Sequence, residues 1–518
     1  MKEAAMDIPA LLAGLPARLS AIPAHWAARA PDAPALHEGG RSWTYAQLQH
    51  SVESAAQLLR DLQVRAGDRL MVVGENGALQ VALIFAAASI DAWIVNVNAR
   101  LSAREIDTIA EHSGARRLLF LAGASPEAAA HAARLGAASA VTVDGMGGLL
   151  AGALNDAAIA EACVPGNEQV AALIYTTGTT GQSKGVMLTH RNLLFIAAVS
   201  STLRGLTRSD RAYGVLPISH VYGLASVALG TLHAGAALYL VPRFSVDGLL
   251  SALKDDELTI VQGVPAMYAK LLQTLGGAGT PLPTRLRFAY AGGSPLAPSL
   301  KHEVERLLGT ALHNGYGMTE SAPTISQTRL DAPRHDSSVG TPIPGVEVRV
   351  VDVAGTDVAP GAAGELWIRG PNVMAGYYRE PAMTAATMRD GGWLNTGDMA
   401  RQDPDGALFI VGRTKELIIR SGFNVYPLEV ETALNAHPSV VQSAVVGRTL
   451  DDGNEDVIAY VELDAQHPVT VQALQDYLAQ TLSPYKCPAA IIVMEALPAA
   501  ATGKILKGQL RQMAQNRP

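Results

Sequence analysis

The sequence predicts an α/β protein with a large, multi-layer N-terminal domain, a β-rich subdomain closing it, and a small, mobile α+β lid at the C-terminus. Three observations predict this. Short β-branched runs alternate with helical periods as far as about Leu330. Beyond Ser338 helical periods thin out and strands punctuated by Gly and Pro take over. After Arg413 a mixed pattern returns and continues to the end of the chain. The expected boundaries are 1–414 for the large domain, with the β-rich part at about 338–414, and 415–518 for the lid.

In order along the chain, Tyr45 to Leu62 carries a helical apolar period, Arg69 to Val73 is strand-like, and Ala78 to Ile90 is helical. Arg117 to Leu121 and Ala140 to Val143 continue the strand series. Val346 to Val351, Gly364 to Ile368 and Leu408 to Val411 supply the β-rich part. The lid offers a helix at Pro427 to Leu434, strands at Val440 to Val446 and Asp456 to Val461, and a helix at Val471 to Leu482. No repeat of fixed period interrupts this order.

Composition narrows the function. Hydrophobic residues make up 48% and charged residues 17% of the 518 residues, which excludes a disordered chain. Forty Lys and Arg against 47 Asp and Glu leave a net charge of −7, too mildly acidic to wrap nucleic acid or adhere electrostatically to a membrane. Two cysteines, Cys163 and Cys487, cannot build a disulfide framework or a cysteine zinc site in one subunit, which fits a reducing cytoplasm. The first residues carry acidic side chains and no apolar core, unlike a secretory signal. Val81 to Ile90, the longest apolar stretch, is about half the roughly 20 residues a membrane span needs, so no integral membrane segment is expected.

Chemistry is written most densely after the apolar strand Val170 to Ile174, in Tyr175-Thr176-Thr177-Gly178-Thr179-Thr180-Gly181-Gln182-Ser183-Lys184-Gly185. Glycines let backbone N–H groups approach an anion, hydroxyls add donors, and Lys184 supplies a mobile positive charge, so the stretch reads as a cradle for a triphosphate. A surface hairpin is the plain alternative, and the density of donors outweighs it. It is not a Walker loop, because Ser183 precedes Lys184 and Val186-Met187-Leu188 reads as another strand.

This stretch resembles the phosphate-binding loop of the adenylate-forming superfamily, which includes acyl-CoA synthetases, luciferases and peptide-synthetase adenylation domains. Further motifs of that family follow in order, and the resemblance spans Thr44-Tyr45 to Lys504. Asn314-Gly315-Tyr316-Gly317-Met318-Thr319-Glu320 resembles the second signature, which implies an aromatic ring on adenine, Thr319 at the α-phosphate, and Mg²⁺ at Glu320 and Thr176. Thr396-Gly397-Asp398 is similar to the ribose site, where Asp398 accepts from sugar hydroxyls. Gly412-Arg413-Thr414-Lys415-Glu416 is similar to the motif ending the large domain, with Arg413 at ribose and phosphate and Lys415 at the hinge. Ser421-Gly422-Phe423 resembles the wall of a thiol tunnel used for CoA, and Thr502-Gly503-Lys504 carries the lysine that enters the active site during adenylation. His220 and Tyr222, in Leu216 to Gly223, and Gly292 and Gly293, in Ala291 to Leu296, resemble the acyl pocket, His220 bordering the route of the thiol. One departure is Ile419, where acyl-CoA-forming members often carry lysine.

The resemblance therefore implies an enzyme that uses ATP and Mg²⁺ to convert a carboxylic acid into acyl-AMP, with Lys184, Glu320, His220 and Lys504 as catalytic residues, and then passes the acyl group to CoA. A medium- or long-chain fatty acid is the expected substrate, since Ser421 to Pro427 most resembles fatty acyl-CoA ligases and no basic residue inside the acyl motifs suggests a second carboxylate. An aromatic or short dicarboxylic acid, a carrier-protein thiol as acceptor, a luciferase-like oxygenation and a nucleotide-binding regulator are the alternatives, and a homodimer is left open.

Overall fold

The computed structural model describes residues 6–177, 183–277, 279–420, 423–450, 454–464, 467–499 and 505–516. Two large sheets form the body. The first runs Thr341–Pro342, Thr324–Gln327, Leu312–Gly317, Phe288–Ala291, Ile260–Gly263, Arg211–Gly214, Ala237–Leu240, Pro34–Glu38 and Arg41–Thr44 across nine strands. The second runs Gly376–Tyr377, Ser183–Thr189, Val170–Thr177, Trp93–Asn98, Arg69–Gly74, Arg117–Phe120, Gly147–Ala151 and Ser139–Val143 across eight. Their central pairs are parallel, as βαβ alternation requires.

Local chemistry sets the helix ends. Thr44 and Gln47 form a reciprocal capping box that starts helix Tyr45–Asp61, and Thr189 with Asn192 does the same for His190–Leu203. Helix Ala78–Ser89 is apolar on all sides, so it is buried on all sides; it touches strands of both sheets, sealing the layer between them.

The β-rich part departs from expectation in one useful way. Glu347–Val351, Ala363–Arg369, Trp393–Gln402 and Leu408–Arg413 do form an antiparallel sheet. Thr341–Pro342 instead extends the first large sheet, and Gly376–Tyr377 caps the edge of the second. The edge strand Ser183–Thr189 would otherwise expose unpaired backbone groups; Ala375 N–H donates to Met187 O at 3.0 Å and Tyr378 N–H to Gly185 O at 2.8 Å.

C-terminal to Arg413 one 3₁₀ turn, Thr414–Glu416, leads into the hairpin Ile418–Arg420/Phe423–Val425. A three-stranded sheet follows, Val440–Thr449, Glu455–Leu463 and Ala490–Met494, covered by helices Pro427–Asn435, Val471–Thr481 and Lys507–Gln515. Ile418, Val430, Leu434, Val445, Val457 and Leu474 share its core. Lys507 bridges Glu416 and Glu431 at 2.8 Å each, tying the 3₁₀ turn to the last helix. Among the described residues no helix is long and apolar enough to cross a membrane.

His190 begins helix His190–Leu203, which packs against Tyr222–Leu229. It is buried, its Nδ1 accepts from Leu19 N–H at 3.2 Å, and burial pushes its imidazole down to about 3, with Arg18 acting in the same direction. The folded state thus holds His190 neutral while the unfolded chain protonates near 6.5. That stability is complete above pH 6.5 and is lost as pH falls toward 3, about 3 kcal/mol by pH 4. Urea midpoints between pH 7 and pH 4 should fall, and His190→Gln should flatten the decline; an unchanged slope would contradict this.

Candidate active site

Strand Val170–Thr177 returns antiparallel through Ser183–Thr189, which sets Thr176 opposite Lys184. The Lys184 ammonium lies 5.2 Å from the centroid of the Tyr377 ring. Tyr377 in turn donates its hydroxyl to Glu320 Oε1 at 2.7 Å. Burial, then the Glu320 charge, raises the Tyr377 phenol far above its ordinary value, so it stays a donor. Met374 N–H donates to the Glu320 carbonyl at 2.9 Å, fixing the turn that carries the carboxylate. Lys184, Tyr377 and Glu320 therefore form one cluster. Gly178, Thr179, Thr180 and Gly181 lie outside the described residues, and Thr177 is placed by its backbone alone.

A second cluster adjoins it. Tyr316 donates its hydroxyl to Asp398 Oδ2 at 2.5 Å, and Arg413 Nε lies 3.1 Å from Asp398 Oδ1. Asp398 and Arg413 are direct partners across neighbouring antiparallel strands, so the pair is set by register. Burial would lower the Arg413 guanidinium, but Asp398, then Glu416, Tyr316 and Glu320, outweigh it and hold it above its ordinary value. Tyr316, at the end of strand Leu312–Gly317, and Glu320, in the 3₁₀ turn that follows it, are four residues apart, which sets the two clusters side by side.

The flanking residues act through the backbone. Asn314 accepts from Gly315 N–H at 3.0 Å and donates to Ser338 O at 3.1 Å, so its side chain is committed to shaping the turn. A Cβ at Gly317 would lie 1.9 Å from the Pro323 carbonyl oxygen; the returning strand itself demands glycine there. Thr319 is buried at the start of the short 3₁₀ turn that presents Glu320.

Of the residues expected at the acyl pocket, His220 Nδ1 accepts from Tyr222 N–H at 3.2 Å at the head of an eight-residue π-helix, Tyr222–Leu229. Such helices are rare and concentrate at functional sites. A Cβ at Gly292 would lie 3.1 Å from Tyr222 Cε1, so the space the glycine leaves is filled by that ring. Gly293 follows with a positive φ of 80°. Four residues along the π-helix from Tyr222, Ser226 Oγ lies 3.2 Å from Thr324 Oγ1, and the Ser226 carbonyl accepts from Arg204 at 3.3 Å. Arg204 and Tyr377 are the residues that sequence reasoning missed. One caps a helix and the other sits on a strand edge, and neither belongs to a motif.

At the C-terminal side, Lys415 is exposed within its 3₁₀ turn and its carbonyl accepts from Arg511 at 3.5 Å. Phe423 is exposed and stacks on Tyr485 at 4.7 Å. Ile419 is half exposed, and Arg420 donates to the carbonyls of Tyr485 and Cys487 at 3.3 and 2.7 Å. Ser421, Gly422 and Lys504 lie outside the described residues.

No group of three or more His, Cys, Asp or Glu converges among the described residues. The Glu320 carboxylate still suits Mg²⁺, which characteristically takes one or two carboxylates and fills its octahedron with phosphate oxygens and water.

Comparison with known proteins decides the family. The AMP-binding enzyme family matches residues 23–378, and the AMP-binding enzyme C-terminal domain matches residues 429–504. The chain belongs to the AMP-binding enzyme family. A feruloyl-CoA synthase of Amycolatopsis sp is 35% identical over 95% of this chain and 98% of its own length. A long-chain-fatty-acid–CoA ligase of Salmonella typhimurium is 31% identical over 95% of this chain and 94% of its own. The crystal structure of ATP-bound MatB from Rhodopseudomonas palustris superposes with a TM-score of 0.86 at 30% identity, covering 97% of this chain and 99% of that one. The fold is that of the adenylate-forming superfamily, with a large N-terminal and a small C-terminal domain.

Asp398 anchors both Tyr316 and Arg413, so Asp398→Ala in this AMP-binding enzyme should weaken AMP at least about tenfold by titration calorimetry. Affinity equal to wild type would remove Asp398 from the nucleotide site.

Proposed function

We propose that the protein is an ATP-dependent, AMP-forming carboxylic acid:CoA ligase. The observation that carries this reading is the meeting of Lys184, Tyr377 and Glu320 with Tyr316, Asp398 and Arg413 in one site. One cluster offers a cation and a carboxylate suited to polyphosphate, the other a shared acceptor suited to sugar hydroxyls. The CoA ligases and the ATP-bound structure among its relatives support the same reading.

A carboxylate must be activated before a thiol can displace its oxygen. In the first half-reaction a carboxylate oxygen attacks the α-phosphorus of ATP and the bond to pyrophosphate breaks. Lys184, Thr176 and the residues that follow it orient the β- and γ-phosphates, Asp398 and Arg413 hold the ribose, and Tyr316 flanks adenine. Alignment of two anions, with their repulsion screened by Lys184 and Lys504, supplies most of the rate. Glu320 and Thr176 would hold Mg²⁺, which supplies charge neutralisation on the phosphates. Tyr377 keeps Glu320 oriented through its hydroxyl and bears the Lys184 ammonium on its ring face.

In the second half-reaction the CoA thiolate attacks the acyl carbon and AMP leaves with both electrons of the broken C–O bond, its phosphate ending as the dianion. His220 borders the thiol's approach. Lys504 must leave first, and the turn at Lys415, between the last strand of the β-rich sheet and the C-terminal hairpin, is where the lid pivots, with Ser421, Gly422 and Phe423 then facing the thiol. The domain division 1–414 and 415–518 belongs to this proposal.

The acid is compact. Relatives named for an aryl acid and for long-chain fatty acids fit the reaction equally well, so the choice rests on the pocket. Its wall is the Tyr222 ring against Gly292, and beyond it stand Ser226 and Thr324, buried and polar. The Tyr222 ring fills the space beside Gly292 and so shortens the room for a long alkyl tail.

Lys504→Ala should suppress acyl-AMP formation from acid and ATP by at least about 100-fold, while thioester formation from supplied acyl-AMP and CoA stays within a few-fold of wild type. Equal loss in both assays would overturn the lid exchange.

A further inference from the structure

Arg204 is 2% exposed, and among the described residues no carboxylate lies within ion-pair distance of it. It caps helix His190–Leu203, where its N–H bonds to Ser200 O, and its side chain turns inward to the sheet. Nη1 donates to the Ser226 carbonyl at 3.3 Å and to Gln262 Oε1 at 2.8 Å, and Nη2 donates to Gln327 Oε1 at 3.1 Å. The guanidinium carbon stands 4.7 Å from the centroid of the Tyr290 ring. Every partner is neutral.

A guanidinium carries five N–H donors. Among the described residues these bonds leave Nε–H without a protein acceptor, while the Tyr290 phenol also lies within hydrogen-bonding reach of the guanidinium. Gln262, 1% exposed, adds to the surplus: its Oε1 accepts from Arg204, which can only donate, so the amide orientation is fixed and Nε2 is left buried without an acceptor. A buried cation held by neutral oxygens is costly, and unmade buried donors add to the cost. A purely structural strut between helix and sheet needs no charge. The Arg204 Nε–H and the Gln262 amide together offer two unmet donors for the two oxygens of a carboxylate.

The place of this cluster gives the carboxylate an owner. Ser226, whose carbonyl binds Arg204, follows Tyr222 by four residues on the π-helix that lines the acyl region. Gln262 and Tyr290 are direct neighbours across parallel strands that end at Gly263 and Ala291, just before Gly292 and Gly293. The charge is felt at the pocket wall: burial pushes the Tyr222 phenol up to about 12, and Arg204 draws it back down.

We infer that Arg204 and Gln262 form a subsite at the inner end of the acyl pocket for a second carboxylate, so that the preferred substrate is a compact dicarboxylic acid activated at its other end. This rests on the ligase reading above. The acyl motifs contain no basic residue because the cation arrives from a helix terminus outside them. Lys270, on helix Pro265–Leu275, is exposed.

The test measures AMP release with CoA for purified enzyme on paired substrates, aliphatic and aryl dicarboxylic acids against their monomethyl esters. Wild type should favour the diacid in at least one pair by about 10- to 100-fold in kcat/KM. Arg204→Met should collapse or invert that ratio, and Gln262→Leu should reduce it. Wild type that favours the ester in every pair, or an Arg204→Met ratio equal to wild type, overturns the subsite. If Arg204→Met does not fold, the wild-type ratios and Gln262→Leu still decide. Turnover of monoacids with no preference for diacids refutes the subsite alone, whereas no AMP release with any acid refutes the ligase reading itself.

Discussion

The site depends on one strand pairing, the antiparallel return of Ser183–Thr189 along Val170–Thr177 and its closure by Gly376–Tyr377. That register carries Lys184 back opposite Thr176 and brings Tyr377 from nearly two hundred residues downstream beneath its ammonium. Slipping the pairing by one residue would turn Lys184 to the other face. The same closure satisfies an exposed sheet edge, so the backbone economy of the fold and the placement of its cation are one event. Glu320 is then held by Tyr377 through its side chain and by Met374 through its carbonyl.

Around this pairing, charges are arranged with opposite logic at the two ends of the site. In the cluster proposed to hold the nucleotide a phenol donates to each carboxylate, Tyr377 to Glu320 with the Lys184 ammonium over its ring, and Tyr316 to Asp398 with Arg413 alongside. Such groups are preorganised and partly neutralised before any ligand arrives, which suits a reaction whose difficulty is bringing two anions together. In the proposed carboxylate subsite Arg204 has only neutral partners among the described residues and a donor to spare. A site that neutralises itself can handle a variable phosphate arrangement, whereas one that leaves a cation uncompensated selects for the anion it lacks.

The sequence carried much of this. Helices such as Tyr45–Asp61 and Val471–Thr481 and strands such as Glu347–Val351 fall where periodicity put them, because each buries one apolar face and capping residues mark the ends. Membership in the adenylate-forming superfamily was legible from the motifs and their order. Tyr377 was not, since an edge strand of two residues has no period and its partner is distant in sequence. Arg204 was not, since an arginine at a helix C-terminus ordinarily reaches into solvent. Gly317 was read for a flat ligand, and its sharper reason, the Pro323 carbonyl in the place of a Cβ, exists only once two strands are folded together.

The most direct measurement of the central claim is exchange of labelled pyrophosphate into ATP by the purified protein, with magnesium and a panel of carboxylic acids but no CoA. Exchange that appears only when an acid is present, and is lost in Lys184→Ala, is the predicted result, because activation precedes and does not need the thiol. No exchange with any acid, or exchange indifferent to Lys184, would contradict the account.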